Sequence, residues 1–118
     1  MLRRALQLLF LYILDRKKDM IISGGFNVFP ADIESVVGEH EDVDDVTVIG
    51  IPDDKWGETP LALVIPKTRA APDPEAIRVW SNKRMAKHQR LARVEFRDEF
   101  PRNALGKVMK WLLREPYW

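Results

Sequence analysis

The 118-residue chain contains no cysteine, so disulfide staples and thiolate metal sites are excluded. Histidine is scarce as well: His40 and His88 alone leave too few nitrogen donors for a metal centre. An excess of one charge is also missing. The 19 Lys and Arg residues face 18 Asp and Glu residues, and a formal charge of +1 gives nucleic acid no electrostatic footprint. The apolar run from Leu8 to Leu14 falls well short of the ~20 residues that cross a bilayer. No small-residue cleavage site separates it from the charged "DRKKD", which argues against a signal peptide. A short apolar run bounded by charge reads instead as a buried strand or an oligomer contact. No nucleophile–histidine–acid context, glycine-rich phosphate loop or paired-histidine motif is present, so no self-contained hydrolase or kinase site is encoded. A cysteine-free composition suits the cytoplasm.

What is present is the composition of one globular domain. In "MIISGGFNVF" two apolar segments flank Gly24 and Gly25, the pattern of a hairpin whose turn needs positive φ. "PADIESVVGEH" starts with a first-turn proline and spaces Ile33, Val36 and Val37 on one helical face. "VDDVTVIGIP" and "LALVIP" are rich in β-branched residues and read as core strands joined by the polar loop "DDKWGET". "DPEAIRVWSNKRMA" opens a second helix with an Asp cap, "ARVEFRDEFPR" alternates as a strand, and "KVMKWLLRE" places Val108, Trp111 and Leu112 on a last helical face. The expected fold is α+β: a small mixed sheet with an N-terminal hairpin and about three packed helices.

Three separated segments combine glycine or proline with charge: "DRKKDMIISGG", "PDDKWGE" and "PRNALGK". In this order and spacing they resemble the C-terminal domain of the AMP-forming acyl-CoA synthetases, the adenylate-forming ligases. The resemblance covers residues 13–118 and leaves 1–12 as an atypical N-terminal segment. The closing "LREPYW" is most similar to bacterial medium- or long-chain fatty-acid CoA ligases.

The resemblance implies two half-reactions. A carboxylate and ATP give an acyl-adenylate and pyrophosphate, and CoA then displaces AMP to form a thioester. A large N-terminal domain holds most of the ATP and acid pockets, and the small C-terminal domain rotates to offer a different face to each step. On this resemblance Lys107 is the adenylation lysine, bridging the attacking carboxylate and the α-phosphate, and Gly106 lets its loop approach the nucleotide. Arg16 matches the arginine that contacts the nucleotide, and Lys18 occupies the hinge. Ser23, Gly24 and Gly25 match the segment lining the pantetheine channel, with Trp56 in the supporting "KWGE" loop. ATP or AMP and CoA are thereby implied as substrates of the full-length enzyme, with Mg expected alongside ATP and nothing tightly bound by this chain alone.

Departures from the family pattern accompany the match. Phe26 follows the double glycine where a small or acidic residue is usual, and "HQRL" at His88–Leu91 lacks a lysine at Gln89 and a proline at Leu91. No phosphate loop, acid pocket or ribose-binding carboxylate lies among these residues. The chain is therefore expected to be inactive alone and to need an N-terminal adenylation domain, on the same or a separate chain, as its partner. A homodimer through the apolar N-terminal segment is a further expectation. The alternative is a non-catalytic interaction or oligomerisation module that keeps the fold of a decayed ligase domain.

Overall fold

The computed structural model describes residues 2–17, 19–68 and 73–118, with side chains for all of these except 11–17. Its centre is a long hairpin. Strand β3 (Val43–Asp53) runs antiparallel to β4 (Gly57–Pro66), from Val43↔Pro66 to Asp53↔Gly57, with one irregularity between Val43 and Asp45. The short strands β1 (Ile21–Ser23) and β2 (Phe26–Val28) form the expected hairpin, and Gly24 and Gly25 at its turn have φ of 58° and 83°. β1 joins the sheet through Ser23↔Gly57, beside the tip of the long hairpin. β5 (Arg93–Phe96) lies parallel to β4, from Leu61↔Arg93 to Val64↔Phe96. The sheet is therefore mixed, because a helical crossover delivers β5 in the direction of β4.

Both sheet faces are covered, which is why the central strands read as continuous apolar runs rather than as an alternation. On one face Val48, Ala62, Val64 and Val94 pack with Ile33 and Val37 of α2 (Pro30–Val37) and Ile77 of α3 (Pro74–Asn82). On the other, Ile49, Ile51, Leu61 and Leu63 meet Phe100, Val108, Leu113 and Tyr117 around α4 (Lys110–Arg114). Each fully buried Leu or Ile contributes about 1.5–3 kcal/mol by leaving water. Asp73 caps α3 by accepting the Glu75 amide, as its sequence pattern suggests.

Two expectations change. The run Leu8–Leu14 belongs to α1 (Leu2–Lys17), a helix lying against α4 with an Arg4–Glu115 ion pair, and not to a buried strand. Leu6, Leu9 and Phe10 on it are exposed. The last helix begins only at Lys110, so Val108 precedes it, and its buried member is Arg114.

The outer edge of β3 is sealed by side chains instead of another strand. Glu34 Oε2 accepts the Val48 amide at 2.8 Å, Lys110 Nζ donates to the Val48 carbonyl at 3.1 Å, and the Trp118 indole donates to the Gly50 carbonyl at 3.1 Å. Covering these groups satisfies the backbone and removes a template for pairing with another chain.

Candidate functional site

Lys107 lies on the loop between β5 and α4, which an isolated bridge between Arg102 and Val108 closes. The loop is held by its own residues. Asn103 Oδ1 accepts the amides of Leu105 at 2.9 Å and Lys107 at 3.0 Å, while the Asn103 amide donates to the Lys107 carbonyl at 2.9 Å. Gly106, at φ 84°, turns the chain in a region that favours glycine, and its carbonyl accepts Arg102 at 2.9 Å. Arg102 also pairs with Asp45 Oδ2 at 2.7 Å, tying the loop to the start of β3. The Lys107 backbone is thus gripped at both its amide and its carbonyl. Its side chain is exposed and makes no hydrogen bond or ion pair with any described residue.

A cleft of about 550 Å³ opens at the other end of the long hairpin. Ser23, Gly24, Phe26, Trp56, His88 and Arg90 are among its lining residues. The Trp56 ring rests directly on Gly24: a Cβ there would lie 2.7 Å from Cε3, and the Gly24 amide donates to the Trp56 carbonyl at 2.8 Å. Asp53 Oδ2 holds the loop under the indole by accepting the amides of Lys55 at 3.0 Å and Trp56 at 2.7 Å. Gly25 points into open space. Both packing and exposure describe Trp56, which covers Gly24 while remaining 43% exposed.

Two of the residues that depart from the family pattern, Phe26 and Leu91, line this cleft. Phe26 stacks on His88 with ring centroids 4.9 Å apart and 17° between planes, forming one wall of the cleft. Gln89, where a lysine is usual, caps the 3-10 turn at Lys87–Gln89 by accepting the Ala86 amide, and Leu91 is core. Cations are still present, since Lys87 and Arg90 line the same cleft.

The cleft and the Lys107 loop are well separated. Asp45 anchors the loop and Asp53 borders the cleft, and the stretch of β3 between them spans about 26 Å at the usual rise per residue. Of the remaining candidates, Arg16 lies in the last turns of α1, residues 11–17, where only the backbone is described, and Lys18 falls outside the described residues. No group of three or more His, Asp or Glu residues among those described is placed to hold a metal ion. No described helix is long and apolar enough to cross a membrane.

One cluster escaped the sequence reading. Asp19 receives Lys110 and, at 2.6 Å, Arg114, while Lys110 also reaches Glu34 Oε2 at 3.0 Å. This joins the residue next to Lys18 to α2, β3 and α4. The sequence reading of the last helix named only its apolar residues, and Lys110 and Arg114 find their partners on elements distant in the chain.

The profile described as the AMP-binding enzyme C-terminal domain matches residues 32–107. The 2-succinylbenzoate CoA ligase of Geobacillus kaustophilus is 46% identical over 101 residues, which cover 86% of this chain and 21% of that protein. The long-chain-fatty-acid CoA ligase FadD13 of Mycobacterium tuberculosis is 44% identical over 108 residues, covering 92% and 21% respectively. Among solved structures, apo MatB from Rhodopseudomonas palustris is similar with a TM-score of 0.80 at 39% identity, covering 86% of this chain and 20% of the other. A fatty acyl CoA synthetase of Mycobacterium tuberculosis gives a TM-score of 0.75 at 43% identity, over 84% and 20%. The chain spans about a fifth of the length of these relatives.

Proposed function

The chain belongs to the AMP-binding enzyme C-terminal domain family, and from that membership we propose that it acts as the mobile C-terminal domain of an AMP-forming acyl-CoA ligase for fatty acids. Its partner is an N-terminal adenylation domain, on the same or a separate chain, that holds ATP with its Mg ion and the acid. In the first step the carboxylate oxygen attacks the α-phosphorus and pyrophosphate leaves. Lys107 Nζ supplies positive charge to the carboxylate and phosphate oxygens as charge redistributes between them. A flexible ammonium with three donors on a locked backbone suits that task, because the backbone needs no reorganisation during the reaction. In the second step the CoA thiol, losing its proton, attacks the acyl carbonyl and AMP leaves.

The observation that carries this reading is the placement of the Lys107 loop and the cleft at opposite ends of one long hairpin. Separated by about 26 Å, they cannot both address one carbonyl in a single pose. A rotation of the whole domain about the segment near Lys18 exchanges one for the other, and Arg16 beside it reaches the nucleotide. At the cleft, Ser23 and the two glycines offer backbone without bulk to the pantetheine arm, and Lys87 and Arg90 offer cations to the CoA phosphates. Phe26, the residue that departs from the family pattern after the double glycine, is stacked on His88 as a wall of the cleft, which favours a retained site over a decayed module.

The test supplies the chain in trans to the N-terminal domain of a related fatty-acid CoA ligase and follows ATP–pyrophosphate exchange. The chain is expected to raise exchange, and Lys107→Ala to remove that gain by about 100-fold or more. Equal exchange with and without the lysine refutes the assignment.

A further inference from the structure

We propose that Asp45 and Arg102 form a positioning pair for Lys107; the functional part of this inference rests on the adenylation reading above. The unit that must be held still is the peptide joining Gly106 to Lys107. Its carbonyl is taken by Arg102 at 2.9 Å and its amide by Asn103 Oδ1 at 3.0 Å, so the lysine leaves the loop from a peptide fixed at both poles. Asn103 is local and needs no help. Arg102 is a long, exposed side chain that would otherwise sample many rotamers, and Asp45 confines it by accepting its second terminal nitrogen at 2.7 Å. One guanidinium fork thus links the end of the sheet to the carbonyl before the catalytic lysine.

The Asp45 and Arg102 side chains are 42% and 45% exposed, so the pair adds little to global stability. Its effect falls on the loop. A lysine whose backbone wanders by an ångström loses much of the advantage of being fixed in advance, even with its charge intact. Arg102 also has two acceptors to satisfy together, which a lysine at that position cannot do with the same rigid geometry.

The experiment uses the full 118-residue chain, with Asp45→Ala, Arg102→Ala, Arg102→Lys and Lys107→Ala variants. Amide hydrogen exchange is followed by NMR on each, and pyrophosphate exchange is measured in trans. Asp45→Ala and both Arg102 variants are expected to speed amide exchange at Gly106 and Lys107 about fivefold while leaving Val48 and Ile49 unchanged. They should lower kcat for adenylation by about tenfold with KM for ATP and acid unmoved, and Arg102→Lys should fail to rescue. Unchanged exchange at Gly106 and Lys107 in Asp45→Ala overturns the proposal, as does acceleration spread evenly over the sheet. Normal kcat in Asp45→Ala, with Lys107→Ala inactive, also overturns it. If the wild-type chain gives no gain in trans, or Lys107→Ala is fully active, the adenylation reading fails instead, and the amide exchange still decides whether the pair positions the loop.

Discussion

Replacing Lys110 by Met tests the half-buried charge network that ties the start of the sheet to the last helix. The Lys110 side chain is 12% exposed, and its ammonium serves Asp19, Glu34 Oε2 and the Val48 carbonyl. Met keeps most of the stem packing, so the change isolates the head group. Each hydrogen bond to a charged group is worth about 1.5–3 kcal/mol, and an orphaned carbonyl costs about 1–3 kcal/mol. The losses do not add in full. Asp19 keeps Arg114, Glu34 keeps the Val48 amide, and the two carboxylate side chains are 34% and 25% exposed, so water softens the loss. A cost of about 2–3 kcal/mol follows, below the full value for a deeply buried pair. With a urea m value of about 1.3 kcal/mol/M for a domain of this size, the midpoint should fall by about 2 M. Urea denaturation followed by circular dichroism reads this directly, with m unchanged. A midpoint shift under about 0.4 M, or ~0.5 kcal/mol, would refute the reasoning and reduce the network to an ordinary surface pair.

Gly24→Ala and Gly25→Ala separate backbone strain from collision. Both positions have positive φ and should lose about 1 kcal/mol for an L-residue in the left-handed region. Only Gly24→Ala must also displace the Trp56 ring, so it should be less stable and shift tryptophan emission; equal behaviour would contradict the seating of Trp56 on Gly24. Glu95 gives a pH prediction. Burial pushes its pKa up, but hydrogen bonds from Tyr117, Arg93 and Arg97 outweigh that and hold it below the ordinary 4.5. A lowered folded pKa contributes stability that is present above about 4.5 and is lost as the pH falls through the folded value. Glu95→Gln should therefore flatten the acid limb of a midpoint-against-pH curve measured from neutrality downward, and an unchanged limb would count against the pairing. Burial and the hydrogen bond with Glu95 raise the Tyr117 pKa, so its contribution fades on the alkaline side, above the ordinary value of 10.

The elements that were legible share one property: their determinants lie within a few residues of one another. Two glycines between apolar segments require a turn at Gly24 and Gly25, Pro30 starts a helix, and the β-branched runs on either side of "DDKWGET" pair as a hairpin. The short run at Leu8–Leu14 was not legible in this way, because an apolar stretch of that length satisfies strand and helix periods alike. Gln89 and Phe26, which look like losses on paper, are a turn cap and half of a ring stack in space.

By itself the sequence determined the mixed α+β layer and the glycine turn, since local backbone sterics and side-chain period specify these, while Lys107 and Gly106 were singled out by motif resemblance. Tertiary structure alone decided that Asp45 reaches Arg102, that Asp19 and Glu34 converge on Lys110, and that the Lys107 loop stands a hairpin's length from the cleft. Those relations depend on strand register and helix placement. No short stretch of chain encodes them, because the partners meet only once burial of both sheet faces has fixed where each element lies.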